Sequence, residues 1–392
     1  MKYEFKKIFS NPILILLTGL VFFLTVGVCL YNISDRSIDV FEDGEKKVLE
    51  GRAALDYLYK NSERTVLDEK TIENIFSKYD GKSFDYVAES FAKTDPSLLS
   101  HIYSIYKDKM FDEEGILHKS RVSTFDIGKV NKDYTMGYLK ATHMYTKKEL
   151  EKTDKKLSKI NKKVEHGFTG HFISFFQTSY IAYFLFAFLI VAISVYLISL
   201  ENWYETDIIL KSIKNKATLR VGINKIWVIF VFVSGIFILI NLVMVGLTIA
   251  PYKFSNLDMR IQSSVAAFLD SNMDLSYGGL MALMMGLTYL STLSLSLFAG
   301  FLASLIRSSK ASLLIVLATI GIVFPKYTNP LIDKVVSILP QAGLFSPRYL
   351  TNFYSYQVFG VEISNVNLII ITSLILIFAS IAGILIKSAR EN

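Results

Sequence analysis

The chain of 392 residues has one cysteine, two tryptophans, seven prolines and five histidines, and each scarcity closes a class of explanation. A single thiol, Cys29, makes no intrachain disulfide, so an exported segment has no staple and must fold on its own core. The histidines (His101, His118, His143, His166 and His171) are confined to one stretch, only the last two are neighbours, and no HExxH occurs. Zinc chemistry would need them to converge with carboxylates, so surface histidines and no metal site are the expectation. A phosphate loop is also missing. The one Gly-Lys-Ser, at Gly81, Lys82 and Ser83, has Phe76 where the first glycine belongs.

The most informative absence is of charge. Charged residues make up 20% of the chain, yet several long windows hold none, while the stretch 34–170 is rich in them. Hydrophobic residues are 52% and the mean hydropathy is +0.38, too apolar for a soluble chain to hide in one core. A bilayer must act as solvent for part of it. Crossing takes about 20 apolar residues, and windows 13–33, 172–200, 226–250, 278–306 and 366–386 qualify. A sixth, 311–324, would reach only about 21 Å as a helix. The first apolar window ends without an A-x-A-like site and reads as an uncleaved anchor.

The net charge of +7 would suit a nucleic-acid reader, but the cations flank apolar windows instead. Nucleic acid is therefore not expected as a partner. With six crossings and both termini inside, the short inner segments carry twelve Lys and Arg, from Lys2 to Arg390, and the outer ones five: Lys253, Arg260, Lys326, Lys334 and Arg348. A re-entrant fifth element would move Lys387 and Arg390 outside, so the bias favours six spans. The expected fold is an all-α integral membrane protein with six transmembrane helices, cytoplasmic termini and a mainly helical extracytoplasmic domain at 34–171.

Within that domain, 53–59, 71–79 and 84–91 have helical apolar spacing between breakers that include Gly81 and Pro96. The stretch 147–164 reads as a solvated helix with one apolar stripe of Leu150, Leu157, Ile160 and Val164, loosened before the membrane at Gly167 and Gly170. Outer loops 251–277 and 325–365 contain apolar runs, 263–269 and 331–339, that suit re-entrant or interfacial helices.

The windows hold no Asp, Glu, Lys, Arg or His. Ion-coupled transporters commonly place such a group near the bilayer centre, so any transport must draw its energy elsewhere. The polar residues are Asn32, Gln177 and Asn367 near window ends, Asn241 deeper, and hydroxyls on the fourth window that include Ser291, Thr292, Ser294, Ser296 and Ser304. Close helix packing explains most such residues. Asn241, Ser291 and Ser294 are the candidates for lining a cargo path. No paired carboxylate, Ser–His pair or metal cluster supports an intramembrane enzyme, so no catalytic residue is assigned.

Two segments at the expected cytoplasmic face carry sharper signals. Residues 1–12 set Phe5, Ile8 and Phe9 on one helical face and Lys2, Lys6 and Lys7 around the other, an interfacial amphipathic helix. Residues 201–225 begin acidic at Glu201, Glu205 and Asp207, pass an apolar cluster and end basic at Lys225, an order that suits a helix dipole. The run Tyr3-Glu4-Phe5-Lys6-Lys7-Ile8-Phe9, with Glu201-x3-Glu205-Thr206, Ile209-Leu210-x-Ser212, Leu219 and Lys225, resembles the permeases of ABC-2 type transporters. That family often has Gly where Thr206 stands and proline where Ile213 and Lys214 stand.

The resemblance implies a division of labour. Separate ATPase subunits, holding ATP and Mg, would engage Glu4, Phe5, Lys7 and Phe9 of the first helix and Glu201, Glu205, Thr206, Ile209, Ser212 and Lys225 of the coupling loop. This chain would bind no cofactor itself, would be no enzyme, and would pair with a second permease copy or homologue amid membrane lipid. Prolines 330, 340 and 347 fall in a segment that resembles the short external helices closing the exit. The expected function is export of an amphipathic cargo, such as an antimicrobial peptide, across the cell membrane of a Gram-positive bacterium. The rival is a membrane-anchored sensor or scaffold whose outer domain binds a ligand or partner.

Overall fold

The computed structural model describes residues 2–42, 45–94, 98, 110–122, 127–141, 145–160, 165–203, 217–263, 271, 273–306, 308–323, 325, 329–351, 354–359 and 361–390. It is mostly helical. Five helices among these residues are long and apolar enough to cross a membrane, which makes this a multi-pass membrane protein.

Helix α1 (Lys2–Phe9) is followed by Asn11, whose side chain accepts from the Ile13 and Leu14 amides and starts α2 (Pro12–Ser34) with proline in its first turn. Asn caps unpaired amides and proline lacks one, so both favour a helix start here. Strands β1 (Ser37–Glu42) and β2 (Glu45–Glu50) then form an antiparallel hairpin with Glu42 opposite Glu45. Helices α3 (Gly51–Asn61), α4 (Glu69–Phe76) and α5 (Phe84–Thr94) follow, with β3 (Thr65–Val66) between the first two. Helices α6 (Lys119–Val122), α7 (Ile127–Ala141) and α8 (Lys147–Ile160) lead to β4 (Glu165–His166), which pairs with β3.

The segment between α2 and α9, the outer segment of the expected topology, is therefore mainly helical among its described residues, as its spacing predicts, but the β1–β2 hairpin is an addition. Ile72, Phe76, Val87, Phe91, Met110, Phe111 and Leu117 make its core. Gly81 sits at φ +70°, with its amide on the Leu117 carbonyl, and Ser83 bridges Ile116. The Gly-Lys-Ser triplet is thus a turn that leads into α5.

The remaining long helices are α9 (Gly170–Trp203), α10 (Ala217–Thr248) and α11 (Tyr277–Ile306). Helix α12 (Ser309–Gly321) has 13 residues, about 20 Å of rise. It is apolar but shorter than a straight crossing. Helix α13 (Pro330–Val336), a 3-10 segment Pro340–Phe345, α14 (Ser346–Thr351) and the hairpin β5 (Ser355–Val358) with β6 (Val361–Ser364) precede α15 (Asn365–Arg390).

Helices α9 and α11 form the centre of the bundle, with 67% and 61% of their spanning windows buried, against 22% for α2 and 28% for α15. Small residues let the centre close. A β-carbon on Gly300 would lie 3.1 Å from the Ile198 side chain, and one on Gly383 would enter the Phe301 ring. This packing of α11 on α9 and α15 depends on dispersion contacts that a larger residue would push apart. Ser296 and Ser304 turn their hydroxyls onto the Thr292 and Phe301 carbonyls of their own helix, which satisfies them without a partner helix.

Candidate functional site

At the α1 end, Glu4 and Ile8 are buried while Phe9 is 63% exposed. Glu4 tolerates burial because Lys7 closes an ion pair on it at 3.0 Å. Phe5 stacks on Phe232 of α10 at 5.5 Å and Phe9 meets the same ring at 5.6 Å. Residues Glu4, Phe5, Lys7 and Phe9 are thus brought to one place, against α2 and α10.

Glu205, Thr206, Ile209 and Ser212 lie outside the described residues. Glu201 is in the last turn of α9, which runs to Trp203. Lys225 is placed differently from a loop cation. Helix α10 begins eight residues earlier, and Lys225 is 4% exposed with its ammonium donating to the Ile198 carbonyl at 3.4 Å. Hydropathy misplaces the boundary because it stops at charge, whereas the helix continues through Arg220 and Lys225. Nearby, Thr218 donates to the Ser388 carbonyl at 2.7 Å and Gly222 abuts the Ser388 side chain, fixing α10 on α15.

In the interior, Asn241 accepts from the Tyr183 hydroxyl at 2.8 Å and donates to the Phe237 carbonyl at 2.9 Å. Ser294 donates to the Ser291 carbonyl at 2.8 Å. Ser291 faces the Pro340–Phe345 segment, where a β-carbon on Gly343 would collide with its hydroxyl and lie 2.9 Å from the Leu287 carbonyl. Thr288 donates to the Gly343 carbonyl at 3.3 Å. Asn241 is therefore spent on α9, while Ser291 seats the segment.

That segment is buried throughout, among α9, α11 and α15. Gln341 donates to the Thr319 carbonyl of α12 at 3.1 Å, and Thr372 of α15 donates to the Ile338 carbonyl at 2.8 Å. Just outside it, Asp333, 1% exposed, accepts from Arg348 at 3.2 Å and from the Tyr354 hydroxyl at 2.8 Å. Arg348 also donates to the Val323 and Pro325 carbonyls. Burial, and then the bond to Asp333, push the Tyr354 phenol well above its ordinary range.

The outer segment is tied to this network. Glu149 accepts from Lys334 at 2.8 and 3.0 Å and from the amide and hydroxyl of Thr146. Burial raises the Glu149 carboxyl, but the bonds from Lys334 and Thr146 outweigh it and hold the group below the usual carboxylate range. Tyr145 packs on Tyr354 with ring centres 5.4 Å apart. At the opposite neck, Arg64 donates to both Asp258 at 2.8 Å and Glu165 at 3.0 Å, and the bond from Arg64 lowers the Asp258 carboxyl. Sequence reading missed these contacts. Thr146-x-x-Glu149 is legible as a capping box, but nothing local points Glu149 at Lys334.

The histidine expectation needs correction. His166 and His171 are buried, the first in β4 and the second stacked on Phe168 at 4.8 Å with Nε2 3.1 Å from the Ser255 carbonyl. His118 pairs with Asp112 at 2.6 Å, and His101 and His143 lie outside the described residues. No group of three His, Cys, Asp or Glu that could hold a metal occurs among the described residues.

Comparison of the chain with known protein families, with curated proteins and with solved structures finds no match.

Proposed function

We propose that this chain is the permease subunit of an ATP-driven exporter of the ABC-2 type, crossing the cell membrane six times with both termini inside, α12 as the fifth and shortest crossing. The observation that carries this reading is the buried Pro340–Phe345 segment. Irregular backbone at membrane depth is tolerated where protein surrounds it or where it lines a cavity, and a short segment seated among α9, α11 and α15 is suited to closing a path. The positive-inside bias and the resemblance in residues 3–9 and 201–225 support the same reading. Separate ATPase subunits would press on α1 and the 201–225 loop, and a second permease would complete the path. Two packings of the helices are the minimum for such coupling. The cargo class that fits the aromatic, uncharged walls is an amphipathic molecule such as an antimicrobial peptide, in a Gram-positive cell.

The test is charge reversal at Glu201 and Glu205. Glu201→Lys with Glu205→Lys is expected to abolish stimulation of a co-expressed ATPase by candidate peptides while the permease still inserts. Unchanged ATPase binding and stimulation would remove the coupling assignment.

A second reading, a sensor or scaffold, draws on a different observation: the segment between α2 and α9 is ion-paired to the connections between the long helices, through Glu149 with Lys334 of α13 and Arg64 with Asp258 of the loop after α10. Ligand binding to the outer segment with no ATPase partner would favour it.

A further inference from the structure

A cavity of about 410 Å³ opens between α1, α2 and α10. Its walls include Phe9 of α1, Ile15 and Phe22 of α2, and Phe232, Gly235 and Leu239 of α10. The one hydroxyl among its lining residues, that of Thr18, is turned back onto the Leu14 carbonyl at 2.7 Å. Water entering this space would find no free donor and at most one acceptor, the Thr18 oxygen, on those side chains, too few to hold it. The volume falls within the range of about 300–1,000 Å³ usual for small-ligand sites. From Ile15 to Phe22 the wall advances about 10 Å along the helix, so the space is a furrow that suits a chain better than a ring system. Both α2 and α10 are apolar enough to cross a membrane, so the furrow faces acyl chains.

None of its lining residues is charged, and the nearest cations in sequence are those of α1. Lys2, Lys6 and Phe9 are spaced i, i+4 and i+7, which places them on one strip of α1, and all three are exposed. Lys7, by contrast, turns to Glu4. The strip therefore runs from two cations in the headgroup region to an aromatic ring on the furrow wall. A partner that is apolar along its length and anionic at one end matches this arrangement.

We propose that the α1–α2–α10 furrow binds an anionic phospholipid, one acyl chain lying along Ile15, Gly235 and Leu239 and the phosphate headgroup against Lys2 and Lys6. The site is independent of whether the chain is a permease or a sensor. Its role would be to fix α1 on the bundle, since Phe5 and Phe9, which hold α1 to Phe232, also form the furrow wall.

The test uses the full-length protein in lipid nanodiscs containing a trace of phosphatidylglycerol or phosphatidylcholine with a photoactivatable acyl chain, followed by mapping of the labelled peptides. Labelling is expected on residues 12–22 and 231–239, with phosphatidylglycerol preferred about thirtyfold, given roughly 1 kcal/mol for each of the two lysines near the surface. Gly235→Trp fills the furrow from within. A β-carbon there meets nothing within 4 Å, so the helix can carry the ring. Most of the labelling should be lost with the unfolding temperature unchanged, and Lys2→Glu with Lys6→Glu should erase the preference for phosphatidylglycerol. Leu239→Trp, at an exposed position, gives a second filling variant should Gly235→Trp fail to fold. Undiminished labelling in a folded filling variant, or equal labelling by both lipids, overturns the proposal. So does a Leu239→Cys disulfide between two chains in a Cys29→Ala background, which would assign the furrow to a second copy.

Discussion

Glu149 of α8 and Lys334 of α13 meet at 2.8 Å across 185 positions of sequence, with side chains only 11% and 18% exposed. The pair joins the outer segment to the helix that precedes Pro340–Phe345. Truncating one partner leaves the other poorly solvated, which costs about 1–3 kcal/mol; removing both avoids much of that. Glu149→Met should therefore destabilise the protein more than the double change Glu149→Met with Lys334→Met. Unfolding of the four members of this cycle in detergent measures it, and strictly additive effects would show that the contact carries no coupling.

Acid should loosen this junction and the Arg64–Asp258 contact alike. The Glu149 and Asp258 carboxyls are held below their ordinary values, so their contributions are complete above about pH 4.3 and 3.9, respectively, and are lost as pH falls through the lower folded values. Stability is thus expected to fall with acid below about pH 4. Glu149→Gln with Asp258→Asn should flatten that part of the profile in thermal unfolding across pH 3–7. An acid limb unchanged in the variant would assign the loss to other carboxylates.

The long helices were legible because an apolar window is a property of composition. The second and fourth windows, 172–200 and 278–306, differ by a few residues from the helices Gly170–Trp203 and Tyr277–Ile306. Composition failed where a charge is buried: Lys225 read as a loop cation but lies within α10 because the Ile198 carbonyl receives it. The β1–β2 hairpin left a usable signal, Asp43-Gly44 after the alternating Ile38, Asp39 and Val40, since that dipeptide is a general mark of two-residue hairpin loops. Glu149–Lys334 left none, because a contact so distant in sequence is made by the fold. Of the ten coupling positions, Glu4, Phe5, Lys7 and Phe9 proved to share one corner. The amphipathic period found the helix, but it gave no sign that Glu4 would be buried beside Ile8.

Gly343 offers a test of the seated segment. Alanine there would drive its β-carbon into the Ser291 hydroxyl and toward the Leu287 carbonyl; overpacking of this kind costs about 1–3 kcal/mol. Gly343→Ala should lower the unfolding temperature and raise hydrogen exchange at 340–346. Adding Ser291→Gly removes the hydroxyl but not the carbonyl, so partial recovery is the expected result. No recovery would mean that the Leu287 backbone, and not Ser291, sets the fit.

The short helix α12 decides the topology. Its 13 residues rise about 20 Å, less than the roughly 30 Å of hydrocarbon, yet two features could let it cross. Ser308 caps its first turn at the Ala311 amide, at an end expected to lie at the membrane surface, and Ile322 continues the helical hydrogen bonding onto Ala318. The bilayer can also thin locally around a short helix at a modest energetic cost. Under the six-crossing reading Lys310 faces the cytoplasm and Leu331, 74% exposed, faces outside. Single cysteines at these positions, in a Cys29→Ala background, should react with impermeant maleimide from opposite sides of intact cells and inverted vesicles. Ser337 is a poorer reporter, being buried with its hydroxyl 2.8 Å from that of Tyr356. Labelling of Lys310→Cys and Leu331→Cys from the same side would make α12 a re-entrant element and leave five crossings. Residues 387 and 390 would then lie opposite the amino terminus, and the two cytoplasmic ends assumed by the permease reading would no longer share a face.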